Sequence, residues 1–545
     1  MFPAGWRFAA GASAAFAPHA MVASNEALAS HAGVEILQKG GNAVDAAVAV
    51  GFALAVTLPE AGNIGGGGYM LIRMADGRSA ALDYREVAPL AATRDMYIGP
   101  DGKLTGASLE GHLASGVPGS VAGLTEALRK YGTLSLATVM APAIRLAADG
   151  YAVEKAFSRS VAGGKSLLSR SAGDSLFLPN GRPAAIGTRF AQPELATTLR
   201  LIARDGASAF YRGKIADQIV AEMKRGRGII TREDLARYRP EWRTPIRSTY
   251  HGYTLLTMPP SSSGGITVTE SLNILEAYGS DAPFGSADRI HALAAAYQRA
   301  FLDRNSKLGD PAFVNVPLQT LTSKTYARAL SRTIARDRAT PTSALASGIR
   351  EGSETTHYSV VDQFGNAVAT TTTLNSLYGS GVMVTGAGFF LNNEMDDFSA
   401  SPGKPNQFGL VQGEVNAIQP GKRMLSAMSP TIVLDPAGQL LLVTGARGGP
   451  RIITNTSEVI LNVLDHHMTL SGAMSAPRIH YQSLPDSLRL EEGGFNPATI
   501  DRLKEMGYKI YFTVGSGASV TSIMRVKGGY EGMDDPRSTG AAVGF

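Results

Sequence analysis

The chain has 545 residues, of which 44% are apolar, and its mean hydropathy is near zero, which is typical of a soluble globular protein with a large buried core. Its 51 Lys and Arg and 46 Asp and Glu leave a net charge of +5 without any basic block, so the sequence predicts no nucleic-acid partner. It has no cysteine, which excludes disulfides, thiol catalysis and cysteine-ligated zinc and suits an oxidising compartment.

The first third of the chain predicts helices followed by a glycine loop. The stretch 8–17 is alanine-rich but lacks the basic start of a signal peptide. Residues 21–58 predict two helices, the second capped by Asn42 or Asp45. The apolar run 46–58 is too short to span a bilayer, so we expect a buried helix and no membrane insertion. Gly62–Gly68 then precedes a strand at Tyr69–Met74, and such a run permits close backbone approach.

The middle of the chain, about 120–350, is predicted to be mostly helical. A strand at Gly252–Met258 and a turn at Pro259–Gly265 are the exceptions. The small polar residues of 339–354 are typical of an exposed linker, which suits a cleaved junction. The predicted helices are Leu124–Tyr131, Leu136–Ala148, Pro193–Arg204, Ile215–Arg225 and Ile290–Asp303.

A β-hairpin is predicted directly after the linker. His357–Asp362 alternates, residues 363–366 (QFGN) form a turn, and Ala367–Leu374 is rich in β-branched residues. If Asp362 and Ala367 flank a four-residue loop, Thr355 lies opposite Leu374 and next to Thr373. The hairpin therefore brings two threonines to one end of a sheet.

The hairpin and six further segments resemble the γ-glutamyltransferase family of N-terminal nucleophile hydrolases. Residues 355–362 (TTHYSVVD) are similar to the start of that family's small subunit. The resemblance covers roughly residues 20 to 545 and implies an α+β fold, a four-layer αββα sandwich. The other similar segments are GGNAVD at 40–45, AGNIGGGG at 61–68, DYREVAP at 83–89, LNNEMDDFS at 391–399, MSPTI at 428–432 and DDPRS at 534–538.

The resemblance makes Thr355 the nucleophile and the self-cleavage residue. A threonine hydroxyl needs a base, and a free α-amino group, whose pKa is about 7.7–8.0, supplies one on the same residue. While Glu354 is attached, that nitrogen is an amide, so cleavage between Glu354 and Thr355 is the expected activating step. It would give a large subunit, 1–354, and a small subunit, 355–545, that stay associated in one unit. Thr373 matches the family threonine that orients the nucleophile.

The resemblance also assigns an oxyanion hole to a glycine turn. Gly448 and Gly449, after the predicted strand Gln439–Thr444, match the family's oxyanion glycines, whose backbone N–H groups suit a developing negative charge. Ala446 and Arg447 replace the Ser-Pro pair expected before them. Arg447 would add positive charge near the turn.

A γ-glutamyl donor presents an α-carboxylate and an α-ammonium, and the sequence offers groups for both. Arg85 matches the family arginine that clamps the carboxylate, for which a guanidinium is well suited. Asn375, Glu394 and Asp397 match the residues that receive the ammonium.

Two departures affect the expected donor pocket. Ser426-Ala427 stands where many members have two serines on the carboxylate, so one hydroxyl is missing and binding is expected to be weaker by about 1 kcal/mol unless water replaces it. Phe408 stands where several members have a lid tyrosine.

The predicted activity is γ-glutamyl transfer from glutathione and related amides to water, an amino acid or a peptide, without cofactor or metal. The nine histidines form no ligand-spaced cluster. Two alternatives stay open: a cephalosporin (glutaryl-type) acylase on the same scaffold, which Asp397 disfavours because a glutaryl group lacks the ammonium, and an unprocessed, non-catalytic glutathione or amino-acid binding protein. The expected location is periplasmic or secreted.

Overall fold

Two seven-stranded sheets form the centre of the molecule. The computed structural model describes residues 3, 6–8, 13–342, 355–401, 404, 406–407 and 412–545. Sheet I has the strand order Ala15–Ala17, Gly529–Asp534, Ser519–Val526, Leu440–Arg447, Thr431–Leu434, Tyr253–Thr257 and Ile246–Tyr250. Sheet II has the order Ala541–Gly544, Met21–Ser24, Thr356–Val361, Ala367–Thr373, Gly67–Arg73, Ser79–Asp83 and Glu241–Arg243.

The two sheets face each other, and helices cover both outer faces. Strands Thr356–Val361 and Ala367–Thr373 of sheet II pack against Leu440–Arg447 of sheet I. Sheet II is covered by helices Ala27–Gln38, Ala43–Thr57 and Ser120–Tyr131, with Leu136–Asp149 packed behind them. Sheet I is covered by Gly264–Tyr278, Arg451–Leu464 and Leu470–Ser475, with Ala287–Lys307 behind. This arrangement confirms the predicted αββα sandwich.

Shorter elements complete the chain. Among the described residues, no helix has the length and apolar character needed to cross a membrane. The remaining helices are Lys155–Gly163, Lys165–Leu168, Asp174–Phe177, Pro193–Asp205, Ala207–Tyr211, Lys214–Arg225, Arg232–Arg237, Leu318–Leu321, Lys324–Ser331 and Pro497–Glu505, and the remaining strands are Tyr151–Ala152, Arg189–Phe190, Ile479–His480, Leu488–Glu491 and Ile510–Thr513.

The sequence-predicted helices are present, but the region 21–58 begins with strand Met21–Ser24, so that its first helix starts only at Ala27. The second helix begins at Ala43 with a capping box, in which Asn42 accepts from the Asp45 N–H and the Asp45 carboxylate accepts from the Asn42 N–H. All fifteen residues of this helix are buried, because sheet II lies on one side and Leu136–Asp149 on the other. The predicted turn at 259–265 is shorter than expected, since a helix already begins at Gly264.

Candidate active site

The hairpin that begins at Thr356 has a register one residue away from the predicted one. Thr356 pairs with Thr372 and Val361 with Ala367, so the same register places Thr355 opposite Thr373 and not opposite Leu374. The prediction of a four-residue loop was wrong. Because paired residues share a face of a sheet, the correct register puts both threonine side chains on the same side.

The loop geometry explains the shift. The Asp362 N–H donates to the Asn366 carbonyl at 3.1 Å, which leaves a three-residue loop, 363–365. The Asp362 carboxylate accepts the N–H groups of Phe364 and Asn366, both at 2.9 Å, and Gly365 supplies the positive φ, +86°, that such a loop requires.

One small cavity, about 20 Å³, collects most of the predicted site residues around Thr355. Its lining includes residues from both sides of the linker, and of these Thr373 lies in a strand of sheet II while the others lie in loops and helices. The predicted residues on its wall are Arg85, Thr355, Thr373, Asn375, Glu394, Asp397, Ser426, Ala427 and Gly449. Glu354 and Phe408 lie outside the described residues.

Arg85 is the centre of a buried charge cluster in this cavity. Its Nη1 lies 2.7 Å from Glu394 and 3.7 Å from Glu86, and its Nη2 donates to Asp397 at 2.5 Å. Its Nε donates to the Met424 carbonyl at 3.3 Å. Arg85 is therefore already neutralised by protein carboxylates.

Burial controls the ionisation of these carboxyl groups. It raises the pKa of Glu86 to about 8 and that of Glu394 well above its usual range, while Arg85 opposes both shifts. Burial also raises the pKa of Asp397. Glu394 contacts Arg85 and Asp397, and among the described residues no other side chain donates a hydrogen bond to the carboxyl oxygens of Glu394 or Glu86. The cluster therefore retains acceptor capacity for a cationic group.

Thr373 and Asn375 occupy the end of the second hairpin strand. The Thr373 hydroxyl oxygen accepts the Asn375 N–H at 2.7 Å, and Asn375 has a positive φ of +77°. The Asn375 side chain donates to the Asn393 carbonyl at 2.9 Å, so its own amide oxygen remains as an acceptor on the cavity wall. This places a further acceptor beside the carboxylates.

The loop 424–428 forms the opposite wall. The Ser426 carbonyl accepts from the backbone N–H and from the hydroxyl of Ser263, at 2.8 and 2.5 Å. The Ser426 hydroxyl oxygen accepts the Met428 N–H at 3.1 Å. Ala427 also lines the cavity and contributes only a methyl group. The loop is thus held in place while Ser426 faces the cavity.

The Gly448-Gly449 turn offers two backbone N–H groups. Gly448 and Gly449 have φ values of +127° and +57°, and a helix begins two residues later at Arg451. No acceptor for either N–H occurs within the described part of the chain. The positive end of the helix dipole and two open donors suit an oxyanion.

Arg447 does not point into this cavity. Its Nε donates to the Ser519 hydroxyl at 2.8 Å, and its side chain lines a separate cavity with Asn25 and Glu154. The expected positive charge near the oxyanion turn is therefore directed away from the donor pocket.

The glycine run at 62–68 lets a loop approach the hairpin that begins at Thr356. A Cβ at Gly66 would lie 2.1 Å from the Thr373 carbonyl oxygen, so only glycine fits there. Asn63 clamps the contact, because its amide donates to the Thr373 carbonyl at 2.9 Å and accepts the Gly66 N–H at 2.9 Å. The run positions the hairpin, as the predicted close approach requires.

Asn25 anchors the start of strand Thr356–Val361. Its Oδ1 accepts the Thr356 hydroxyl at 3.1 Å and the His357 N–H at 3.2 Å, and its Nδ2 donates to Asp534 at 2.7 Å. His357 is unsuited to act as a base toward the Thr355 hydroxyl. Burial lowers its pKa to about 3, and its ring nitrogens contact Thr371 and Ser359. Within the described residues, no group of histidines and carboxylates could hold a metal ion.

Arg304 is a charged residue of the cavity wall that the sequence did not predict; the unpredicted uncharged residues of the wall are Leu425, Met428, Pro450 and Ile452. Arg304 lies on helix Ala287–Lys307, is 1% exposed, and lines the cavity with Arg85 and Asp397. Burial lowers its pKa to about 10, which still leaves it charged at neutral pH. The pocket thus contains two guanidinium groups.

Comparisons with known proteins agree with this geometry. A family model described as Gamma-glutamyltranspeptidase matches residues 29–545. The Glutathione hydrolase proenzyme of Escherichia coli (strain K12) is 47% identical over 536 residues, which cover 96% of this chain and 91% of the relative.

Two solved structures are similar as well. The cephalosporin acylase from Bacillus halodurans has a TM-score of 0.87 at 28% identity and covers 100% of this chain and 99% of its own. The gamma-glutamyltranspeptidase of Helicobacter pylori has a TM-score of 0.58 at 40% identity and covers 63% of this chain and 98% of its own.

Proposed function

This chain belongs to the gamma-glutamyltranspeptidase family, and on that premise we propose that it is a self-processing γ-glutamyltransferase and glutathione hydrolase. It transfers the γ-glutamyl group of glutathione and related amides to water, an amino acid or a peptide. The observation that carries the proposal is the cavity that Thr355, Arg85 and Gly449 line together; Gly448 precedes Gly449 but does not line this cavity.

Maturation is the first reaction in this proposal. The Thr355 hydroxyl attacks the Glu354 carbonyl, the C–N bond breaks, and an ester joins Glu354 to the Thr355 oxygen. Water hydrolyses the ester and releases residues 1–354 with a new carboxylate and residues 355–545 with a free α-amine. The two fragments stay together because strands from both form sheet II.

Catalysis then uses the new amine as the base. It takes the Thr355 hydroxyl proton while the oxygen attacks the γ-carbonyl of the donor, and it returns that proton to the leaving amine. The open N–H groups of Gly448 and Gly449 are suited to hold the oxyanion. Water or an acceptor amine resolves the γ-glutamyl-threonine ester and restores the hydroxyl.

The donor's head group fits the buried charges. The carboxyl groups of Glu394 and Asp397 and the Asn375 oxygen supply acceptors that match the three N–H donors of an α-ammonium. A glutaryl group offers no such donors and would leave Arg85 as the cation that these buried carboxyl groups share, which is costly in a buried site. The residues therefore favour a γ-glutamyl donor over the glutaryl donor of an acylase.

Replacement of the nucleophile tests the proposal. Thr355→Ala should remain a single band near the full 57.1 kDa on a denaturing gel and should lack activity, whereas the unchanged chain should yield two fragments. N-terminal sequencing of the smaller fragment should begin at Thr355. A wild-type chain that stays intact would support the non-catalytic binding protein, and a wild-type preference for glutaryl-p-nitroanilide would support the acylase. A periplasmic or secreted location stays a prediction.

A further inference from the structure

Strand Thr356–Val361, which follows the proposed nucleophile, has a strand partner on only one side at its start. On that side it pairs with Ala367–Thr373 over its whole length. On the other side, strand Met21–Ser24 pairs with it only as far as Tyr358. The first two residues of the strand are fully buried, and a buried backbone group without a partner is costly. Another group must therefore complete the strand at this point.

The side chain of Asn25 fills the gap. Its Oδ1 accepts the His357 N–H at 3.2 Å and the Thr356 hydroxyl at 3.1 Å. After the proposed cleavage Thr355 would be a chain terminus, and termini fray unless the adjoining residues are tied down. The two bonds to Asn25 hold the residues next to Thr355 and so restrict the positions that Thr355 can take.

Asp534 determines which end of the Asn25 amide faces the strand. The Asn25 Nδ2 donates to the Asp534 carboxyl group at 2.7 Å. This carboxyl group also accepts the Thr521 hydroxyl at 3.2 Å and the Gly540 N–H at 2.8 Å. An Asn25 amide turned by 180° would place its oxygen against Asp534 and its NH2 group against the His357 N–H, so both contacts would become repulsive.

This pair of side chains joins the two sheets without lining the cavity beside Thr355. Asn25 follows a strand of sheet II, and Asp534 is the last residue of a strand of sheet I. Neither residue belongs to the cavity wall. Asp534 opens the segment 534–538 (DDPRS), and the cavity offers no direct role for it. Its contact with Asn25 supplies an indirect one.

We propose that Asp534 and Asn25 are positioning residues: Asp534 fixes the direction of the Asn25 amide, and Asn25 holds the strand start that aligns Thr355 for self-cleavage and for γ-glutamyl transfer. The proposal rests on the proposed function, because it concerns the alignment of Thr355. Since neither residue lines the cavity, their loss should slow the reactions and leave donor binding unchanged.

Asp534→Asn tests the fixed direction of the amide. The substitution keeps the size of the side chain but adds an NH2 group that can face the one on Asn25. We expect kcat for γ-glutamyl-p-nitroanilide and the rate of self-cleavage to fall by roughly 10- to 100-fold, because a displacement of about 1 Å can cost a factor of about 100. KM should change by less than about threefold.

Asn25→Asp combined with Asp534→Asn exchanges the two side chains and is the decisive variant. The carboxylate at position 25 can accept the Thr356 hydroxyl and the His357 N–H, while the amide at position 534 donates to it and still accepts the Gly540 N–H. We expect kcat and the rate of self-cleavage to return to within about fivefold of wild type. Asn25→Asp alone would bring two carboxyl groups to the 2.7 Å contact and should show no such recovery.

Asp362→Asn is the matched control for a loss of stability. Asp362 is also buried and also accepts from backbone donors, the N–H groups of Phe364 at 2.9 Å and Ala43 at 2.8 Å, but it lies at the far end of the same hairpin. This variant should lower the urea midpoint of unfolding, as Asp534→Asn does. Its kcat and its rate of self-cleavage should stay within about threefold of wild type.

Several results would overturn the proposal. An unchanged kcat in Asp534→Asn, or an equal fall in Asp362→Asn, would show that the pair does not align Thr355, and a raised KM at unchanged kcat would assign it to donor binding. If Asp534→Asn does not mature, the exchanged pair decides: restored cleavage supports the alignment, and absent cleavage contradicts it. Failure of the proposed function would instead appear in the wild type, as an uncleaved chain or a preference for glutaryl-p-nitroanilide.

Discussion

Asp397→Asn offers a specific test of the ammonium site. The substitution keeps the size of the side chain and an oxygen that can accept from Arg85, but it removes the negative charge. Arg85 would still have Glu394 at 2.7 Å, so this guanidinium keeps a carboxyl partner. The precursor should therefore fold and mature, which makes the kinetic result interpretable.

The expected magnitude follows from the contact that is lost. A hydrogen bond to a charged group contributes about 1.5–3 kcal/mol, and each 1.4 kcal/mol corresponds to a factor of ten. We expect kcat/KM for γ-glutamyl-p-nitroanilide to fall roughly 10- to 150-fold. Glutaryl-p-nitroanilide has no ammonium and should change by less than about threefold, so the ratio between the donors should shift toward glutaryl.

The control for this test is the neighbouring acid. Asp396 is also buried, but it accepts from the Ser108 hydroxyl at 2.8 Å and the Gln407 N–H at 3.1 Å and does not line the cavity. Asp396→Asn should keep the donor ratio. An equal loss on both donors in Asp397→Asn, or no loss on either, would refute the assignment of the ammonium to Asp397.

Two further predictions concern the packing and titration of the fold. Gly66→Ala should destabilise the chain by at least about 1–3 kcal/mol in urea unfolding and impair maturation, because its Cβ would lie 2.1 Å from the Thr373 carbonyl; Gly106→Ala, with open space at its Cβ, should do neither. Burial raises the pKa of Glu458 from 4.5 to about 8, so the unfolded chain loses this proton first and stability falls as pH rises through that window. Glu458→Gln should therefore gain stability relative to wild type between pH 5 and 8 in urea titrations, and a constant difference would contradict the sign.

The sequence predicted the two strands of the hairpin that follows the linker, but not their register. β-Branched residues and the QFGN turn correctly predicted two paired strands, and the motif placed Thr355 at the start of the first. The register was wrong because the loop length depends on hydrogen bonds that composition does not specify. The Asp362 side chain accepts two loop N–H groups and shortens the loop by one residue.

The glycine run at 62–68 is a second feature that the sequence predicted only in part. The run at 62–68 was predicted to permit close backbone approach, but the sequence did not say to which segment. The contact with Thr373 joins residues more than 300 positions apart, and only the antiparallel pairing of Gly67–Arg73 with Ala367–Thr373 creates it. Long-range strand order therefore explains the glycines, and no local pattern contains that information.

Arg304, in contrast, could not be assigned to the cavity from the sequence. Arg85, Glu394 and Asp397 stand in short motifs, so their charges could be assigned to the site in advance. Arg304 lies on a long helix with Arg299 and Lys307, a pattern typical of a solvated face, yet tertiary packing leaves it 1% exposed. The inward direction of this one side chain gives the cavity a second buried cation, and it follows from tertiary packing that no local pattern contains.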